Sequence, residues 1–367
     1  MNWNTVRRLD LEIANICNAA CPQCTRHPTG SDMLHPILET KHRWTLEDTI
    51  KYFPPEDLGN IDSFLFNGNF GDFISNNEAL EIITYFSSVR PSAYYHICTN
   101  GSARPKSWWR ELAKIKNLKI TFGIDGLEDT HHLYRRNTDF NTIIENAKTF
   151  IEAGGQAEWT MTLFEHNKHQ VKECNTLANN IGFISFVPRH TNRGTTLVSE
   201  KKKPLYVITP ANEINIDHDV KNSVDIERII KLEESIQSGN FVPRQFNECI
   251  PLNSKSECMS VKDNSIYVGA DWFVSPCCYS GPLGYNNKFN PLYNDFIQKI
   301  AEENLKYTDF FVSEGKTVKD AVNFSWIFDR LTTNDILAVC TKHCHKKVSL
   351  IQQAIVENKN INATYYQ

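Results

Sequence analysis

The sequence predicts an α/β fold in which strand–helix units surround a parallel sheet. Up to about residue 195, short apolar runs alternate with segments of helical period, which is the pattern of such units. A strand and a helix together recur about every thirty residues. The length of 367 residues and the hydrophobic fraction of 41 % are sufficient for one large domain, or for a large and a small one, with a substantial core.

Six apolar runs are the predicted strands. They are RLDLEI (8–13), SFLF (63–66), YYHICT (94–99), LKITFGI (118–124), EWTMTLF (158–164) and FISFV (183–187). The segments between them repeat apolar residues at helical spacing, as at Leu80, Ile83 and Phe86. The predicted helices are NNEALEIITYFSSV (76–89), PKSWWRELAKI (105–115), NTIIENAKTFIEA (141–153) and KHQVKECNTLANNI (168–181).

Charge and composition argue against several classes of protein. The formal charge is 39 minus 43, or −4, and no basic tract extends beyond Lys201–Lys203, which argues against nucleic-acid binding. The N-terminus has no apolar run typical of a signal peptide, and no stretch approaches the roughly 18 apolar residues of a membrane span. We therefore expect a soluble, cytoplasmic protein with no nucleic-acid or membrane partner, acting on a small molecule or a peptide.

The strand–helix pattern stops near residue 195. Residues 196–245 are polar and irregular, which predicts a linker or insertion between a first domain at 1–195 and a smaller domain at 246–367. The last region holds six of the eleven cysteines. In a reducing compartment, clustered cysteines more often bind metal or take part in chemistry than form disulfides. The cysteine clusters are therefore the candidate sites.

The first cluster is CNAACPQC, residues 17–24, which follows the first predicted strand. Cys17, Cys21 and Cys24 present three thiols with gaps of three and two residues. A structural zinc site needs four ligands, and His27 is the candidate fourth. A 4Fe-4S cluster held by three thiolates instead leaves one iron open to a small-molecule ligand, which accounts for the lack of a fourth cysteine.

Polar segments containing glycine follow the next three predicted strands. They are FNGNFGD (66–72), TNG (99–101) and DGLEDTHHLYR (125–135). Because the carboxyl ends of parallel strands lie at the same edge of a sheet, we expect these segments and the cysteine motif to converge on one site.

In this order along the chain, the motifs resemble those of the radical S-adenosylmethionine enzymes over about residues 8–195. The resemblance implies a partial (β/α)6 TIM-like barrel and a 4Fe-4S cluster on Cys17, Cys21 and Cys24. It further implies that the open iron binds S-adenosylmethionine, which is cleaved reductively to a 5'-deoxyadenosyl radical that takes a hydrogen atom from the substrate. The electron is expected from a reductant such as flavodoxin or ferredoxin.

The resemblance also assigns residues to the bound S-adenosylmethionine. The glycine-rich segment stands where the family holds the methionine ammonium, TNG lies near the ribose, and the arginine of the third segment reaches a carboxylate. The candidate cofactor-binding residues are Gly68, Gly71, Asp72, Thr99, Asn100, Asp125 and Arg135. Two positions depart from the family pattern: Gln23 replaces an aromatic residue that lies against the adenine, and His132 replaces an aspartate.

The second cysteine group resembles a twitch domain, the shortened form of the SPASM domain, which has a small α+β fold. Its candidate ligands for a second, auxiliary 4Fe-4S cluster are Cys258, Cys277, Cys340 and Cys344. A hairpin is expected between the first two, and Trp272 replaces a glycine of that hairpin, which predicts a different turn. Zinc is the alternative metal, with His343 and His345 nearby.

The remaining cysteines have weaker assignments. Cys249 and Cys278 are alternatives to one of the four named auxiliary ligands, whereas Cys98 and Cys174 are expected to be small buried hydrophobic residues. Trp108, Trp109 and Trp159 are expected in the core. A complete auxiliary ligand set leaves no iron open to substrate, which favours electron transfer by that cluster and a net two-electron oxidation of a small molecule. Radical modification of a peptide is the alternative, and a non-catalytic zinc-binding interaction protein is the remote one.

Overall fold

The structure is a computed structural model organised by one eight-stranded sheet. The sheet strands are β1 (Arg8–Leu11), β2 (Ser63–Phe66), β3 (Tyr94–Thr99), β4 (Leu118–Gly123), β5 (Gln156–Thr162), β6 (Ser185–Arg189), β9 (Ser265–Val268) and β10 (Val274–Ser275). A separate antiparallel pair consists of β7 (Thr196–Val198) and β8 (Tyr206–Ile208). The structure describes residues 3–27, 34–35, 38–191, 196–198, 206–208, 211, 259–278, 280–281, 291–302 and 304–322.

Helices connect the strands, and several of them begin or end where the sequence supplies a cap. They are α1 (Leu46–Tyr52), α2 (Ala79–Val89), α3 (Lys106–Leu112), α4 (Glu128–Tyr134), α5 (Phe140–Glu152), α6 (Val171–Ile181), α7 (Met259–Lys262), α8 (Pro291–Glu302) and α9 (Val318–Val322). The Thr45 and Asp139 side chains accept hydrogen bonds from the first turns of α1 and α5. Gly182, with a φ of 97°, ends α6.

The order of the strands confirms the predicted α/β architecture. Strands β1 to β6 lie side by side in sequence order, and each pairs with the next in parallel. The predicted hairpin before Cys277 is also confirmed, because β9 and β10 are antiparallel. The sequence did not predict that β9 joins the same sheet. It pairs in parallel with β1, so Leu11 lies between Phe66 of β2 and Val268 of β9.

The two faces of the sheet differ in chemistry because alternate residues of a strand point to opposite sides. On one face, fully buried residues such as Leu9, Phe64 and Trp159 form a single core with apolar residues of the helices. This core includes Trp109, as predicted, with Trp108 packed against it. The covered face explains why the strands appear in the sequence as apolar runs.

The opposite face of the sheet is polar. His96 Nε2 lies 2.8 Å from Thr121 Oγ1, which donates a hydrogen bond of 3.1 Å to Glu158 Oε1. Cys98 belongs to this face, with its Sγ 3.8 Å from His96 Nε2. The expectation of a small buried hydrophobic residue is therefore wrong for Cys98, which is half-buried among polar groups. It is right for Cys174, which is buried in the core.

The boundaries of the predicted elements agree closely with the structure where the apolar pattern is strong. Strands β2 and β3 have the predicted limits, whereas β5 begins and ends two residues earlier than predicted. Helices α1, α4, α7, α8 and α9 were not predicted. Helix α4 lies inside DGLEDTHHLYR, which was interpreted only as a polar segment after a strand, because its apolar residues are too few for a clear helical period.

The β9–β10 turn brings Trp272 against helix α1. Trp272 has a φ of 65°, in the left-handed region that favours glycine. The tryptophan thus adopts the backbone conformation of the glycine it replaces, so the different turn that was predicted is not required. Its ring stacks on Trp44 with centroids 4.0 Å apart and lies edge-on to Tyr52. Trp44 Nε1 in turn donates to the Gly269 carbonyl at 3.2 Å. Aromatic packing therefore offsets the strain of this backbone conformation.

No helix in the described ranges is both long and apolar enough to cross a bilayer.

Candidate functional site

The segments after β1, β2, β3 and β4 meet at the carboxyl edge of the sheet, as predicted. Asn100, after β3, donates through Nδ2 to Cys17 Sγ at 3.5 Å and to Asn18 Oδ1 at 3.0 Å. Asp72, after β2, accepts a hydrogen bond from the Asn100 backbone at 2.8 Å. Arg135, in the segment after β4, contacts Cys21. The structure therefore joins all four motifs into one site.

The three thiols of CNAACPQC lie around a common apolar group. Cys17, Cys21 and Cys24 are free and pack with Tyr134 and Phe164. Tight turns shape the motif: the Cys24 backbone donates to the Cys21 carbonyl at 3.0 Å, and the next turn closes from His27 to Cys24 at 2.9 Å. Two consecutive turns therefore shape the chain from Cys21 to His27.

Hydrogen-bond donors surround two of the thiols. The Cys17 sulfur accepts from the Ala19 backbone at 3.4 Å and from the Asn100 amide. Burial raises the pKa of Cys21 to about 11, and the Arg135 guanidinium, which is hydrogen-bonded to the thiol, acts in the opposite direction. Donors and a cation beside sulfur stabilise the thiolate form that binds iron.

The described residues do not form the zinc site of three cysteines and His27 that the sequence left open. Within the part of the chain that the structure describes, no three His, Cys, Asp or Glu side chains come together around one point where a metal ion would sit. A zinc site made of the three cysteines and His27 requires such convergence. In a 4Fe-4S cluster each thiolate binds a different iron, so these three thiols would bind three irons and leave the fourth open.

Asp72 ties the ends of β2 and β3 together. Its Oδ1 accepts from Thr99 Oγ1 at 2.6 Å and from the Ile74 backbone at 3.2 Å, and its Oδ2 accepts from Asn100. Burial raises the pKa of Asp72, and these donors lower it. The contacts place Thr99 and Asn100 beside the cysteine motif. A contribution of Asp72 to a bound ammonium stays a prediction.

Asp125 and Arg135 form a buried ion pair. Arg135 Nε lies 2.6 Å from Asp125 Oδ2, and the Thr162 backbone donates to Asp125 Oδ1 at 2.5 Å. Burial alone lowers the pKa of Arg135, but the Asp125 carboxylate outweighs it and raises the pKa above its usual range. Gly123 makes room for this pair, since a Cβ there would lie 2.5 Å from Arg135 Nη2. The carboxylate that Arg135 reaches in this structure is that of Asp125.

The two glycines of the glycine-rich segment are required by backbone packing. A Cβ on Gly68 would lie 2.2 Å from the Gly71 carbonyl oxygen, and one on Gly71 would lie 1.6 Å from the Ala14 carbonyl oxygen. The absence of a side chain on Gly71 therefore lets it approach Ala14, in the segment that leads from β1 into the cysteine motif. An additional approach to the methionine ammonium stays a prediction.

Gly71→Ala is expected to lower the free energy of unfolding by about 1–3 kcal/mol, because the added methyl group forces two backbone segments apart. Urea unfolding measures the change. Gly59→Ala is the matched control, since a Cβ there meets no atom within 4 Å. Equal stability of the two variants would contradict the packing described for Gly71.

Three residues near the site were not found by sequence reasoning. Glu12 binds the glycine-rich segment, Arg26 donates to the Phe70 carbonyl, and Gly123 admits Arg135. An acidic residue near the end of the predicted strand RLDLEI was an available signal for Glu12. No local pattern in the sequence indicates the partners of these residues.

Most of the second cysteine group lies outside the described residues. This is the case for Cys249, Cys258, Cys340, Cys344, His343 and His345. Cys277 and Cys278 are described as free, half-buried thiols after β10, with Cys277 Sγ 3.7 Å from Ser280 Oγ. The Cys278 carbonyl accepts from Asn69 Nδ2 at 2.6 Å, so the end of the hairpin contacts the glycine-rich segment.

Comparison with known proteins gives likenesses among solved structures only, since no family model and no curated protein match the chain. One is Streptococcus suis SuiB bound to S-adenosylmethionine, with a TM-score of 0.49 and 12 % identity over 91 % of this chain and 76 % of that one. Another is anSMEcpe with bound AdoMet and the Cp18Cys peptide, with a TM-score of 0.40 and 19 % identity over 74 % and 73 %. Both contain S-adenosylmethionine.

A third likeness covers a smaller part of the chain. It is to a radical S-adenosylmethionine methyltransferase, TsrM from Kitasatospora setae, with cobalamin and a [4Fe-4S] cluster bound. The TM-score is 0.38 and the identity 12 %, over 51 % of this chain and 37 % of that chain. In all three cases the likeness is one of fold.

Proposed function

We propose that the protein is a radical S-adenosylmethionine enzyme. It cleaves S-adenosylmethionine reductively and abstracts a hydrogen atom from a small-molecule substrate, with net two-electron oxidation as the reaction type. The observation that carries the proposal is the group of three free thiols at the carboxyl edge of the sheet, joined by hydrogen bonds to the segments after β2, β3 and β4.

Cys17, Cys21 and Cys24 hold the proposed cluster. When bound, a 4Fe-4S cluster with three thiolate ligands supplies one open coordination position and one electron, and with S-adenosylmethionine it yields methionine and a 5'-deoxyadenosyl radical. Side chains of the protein orient the thiols and place charge beside them. Asn100 orients the Cys17 thiol, and Arg135, held by Asp125, places a positive charge beside Cys21.

Aromatic and cationic side chains lie beside the three thiols. The rings of Tyr134 and Phe164, with centroids 4.4 Å apart, belong to the apolar cluster against which the cysteine loop packs. Arg135 adds its guanidinium 5.8 Å from the centre of the Tyr134 ring.

A second 4Fe-4S cluster on Cys258, Cys277, Cys340 and Cys344 belongs to the proposal. Four thiolates occupy all four irons, so this cluster has the composition of an electron acceptor for a substrate radical and not of a substrate-binding site. A reductant such as flavodoxin or ferredoxin would supply the electron for the cluster held by Cys17, Cys21 and Cys24. Peptide modification is the alternative to small-molecule oxidation, and the two share every step up to hydrogen abstraction.

The test is a measurement of metal content and of the first reaction product. Anaerobically reconstituted protein is expected to contain about eight irons with equivalent sulfide, as two 4Fe-4S clusters require. After reduction it is expected to convert S-adenosylmethionine to 5'-deoxyadenosine, slowly without substrate. Zinc in place of iron would support the zinc-binding alternative and end the proposal.

A further inference from the structure

Two peptide units of the glycine-rich segment are held from both sides. The backbone N–H groups of Phe70 and Gly71 donate to Glu12 Oε1 at 2.6 and 2.8 Å. The carbonyl groups of the same two peptide units accept from the residues that follow Cys24: Asn69 from Thr25 Oγ1 at 2.8 Å, and Phe70 from Arg26 Nη1. Because N–H and C=O point in opposite directions in a trans peptide, these units span the gap between Glu12 and the cysteine motif.

Tyr267 of β9 holds the other oxygen of Glu12. Its hydroxyl donates to Glu12 Oε2, although the two residues are 255 positions apart. The Glu12 side chain is only 1 % exposed, and this burial raises the pKa of Glu12. The hydrogen-bond donors on both of its oxygens act in the opposite direction and stabilise the carboxylate. A buried carboxylate with a full set of donors is a rigid anchor.

A second contact joins the same partners. Asn69 donates through its side chain to the Cys278 carbonyl, while its backbone carbonyl accepts from Thr25. The C-terminal hairpin therefore contacts the glycine-rich segment directly, through the Asn69 side chain beside Cys277 and Cys278, and indirectly, through the Glu12 carboxylate. Glu12 and Thr25 bind the same segment at its backbone.

We propose that Glu12 is a positioning residue through which Tyr267 sets the orientation of the glycine-rich segment, so that the C-terminal hairpin controls the affinity for S-adenosylmethionine. The inference rests on the proposed function, in which this segment receives the methionine ammonium. An anchored segment is organised before the ligand binds, and loss of the anchor adds an ordering cost to binding. The three thiols keep their own contacts, so the rate at saturating S-adenosylmethionine is unaffected.

Tyr267→Phe tests the proposal with the smallest change. In the reconstituted full-length protein, equilibrium dialysis is expected to show S-adenosylmethionine bound about tenfold more weakly, the size of effect typical of one lost hydrogen bond to a buried charge. The rate of 5'-deoxyadenosine formation at saturation is expected to equal that of the wild type. Glu12→Ala removes the acceptor of both backbone N–H groups and is expected to weaken binding further. Its effect and that of Tyr267→Phe are not additive, because both act through one carboxylate.

Tyr95→Phe is the matched control. Tyr95 is another fully buried tyrosine, and its hydroxyl donates to the Phe86 and Arg90 carbonyls on the apolar face of the sheet. The Tyr95→Phe variant therefore loses a buried hydroxyl that makes no contact with the site. Tyr95→Phe is expected to bind S-adenosylmethionine as the wild type does.

Hydrogen exchange of residues 67–72 supplies a readout that does not depend on bound cofactor. In Tyr267→Phe the amides of Phe70 and Gly71 are expected to exchange faster, and in Tyr95→Phe they are expected to be unchanged. The inference is overturned if the Phe70 and Gly71 amides of Tyr267→Phe exchange as slowly as in the wild type. It is also overturned if they exchange faster while the affinity for S-adenosylmethionine stays at the wild-type value. Failure of the iron-loaded wild type to bind S-adenosylmethionine refutes the proposed function, and with it the role in affinity, while exchange still decides whether Tyr267 holds the segment.

Discussion

Replacing Cys17, Cys21 and Cys24 together by alanine is expected to abolish 5'-deoxyadenosine formation and to leave about four of the eight irons. The three thiols are the only protein ligands proposed for the cluster that reduces S-adenosylmethionine. Iron and sulfide analysis, with chromatographic detection of 5'-deoxyadenosine, measures both effects. The loss is expected to be complete, because the remaining irons belong to a cluster with no open position.

Cys174→Ala is the control for the triple variant. Cys174 is a free thiol buried in the core within α6, so its loss changes the cysteine content without affecting the site. It is expected to retain all the iron and the wild-type rate. If the triple variant formed 5'-deoxyadenosine at the wild-type rate, CNAACPQC would not be the reductive site.

Asp125→Ala is expected to destabilise the protein by about 3–5 kcal/mol, because it leaves the Arg135 guanidinium without its buried partner. The Asp125 side chain is completely buried and also accepts from the Thr162 backbone, so a second group loses its hydrogen bond. Arg135 also contacts Cys21, and a lower iron content is expected to accompany the loss of stability. Urea unfolding of the protein before iron is added measures the first effect independently of the second.

Two further variants identify the cause of that loss. Glu145→Ala removes an exposed carboxylate paired with Lys106 and Lys148 and is expected to change stability little, since exposed ion pairs contribute little. Replacing Asp125 and Arg135 together by leucine and methionine removes both charges and is expected to recover part of the stability. A loss of less than about 1 kcal/mol in Asp125→Ala would show that the buried pair is not important for the fold.

Local periodicity made the six strands and four of the six helices before residue 195 predictable. Strands β2 and β3 were predicted with their observed limits, because residues such as Phe64 and Ile97 face a continuous apolar core. Helix α4 was missed because it is short and carries His131, His132 and acidic residues in place of an apolar stripe. The β7–β8 pair lies in the region interpreted as a linker or insertion, where strands of three residues have too little pattern to be recognised.

The sequence by itself determined the strand–helix order and the three-thiol motif, since both depend on residues that are neighbours along the chain. Convergence of the four motifs also followed, because parallel strands must end at one edge. Only the tertiary structure decided what each polar side chain contacts. The pairing of β9 with β1, and with it the Tyr267–Glu12 contact, joins residues more than 250 positions apart, and no local propensity encodes which buried donor meets which buried acceptor. That choice follows from packing the whole sheet.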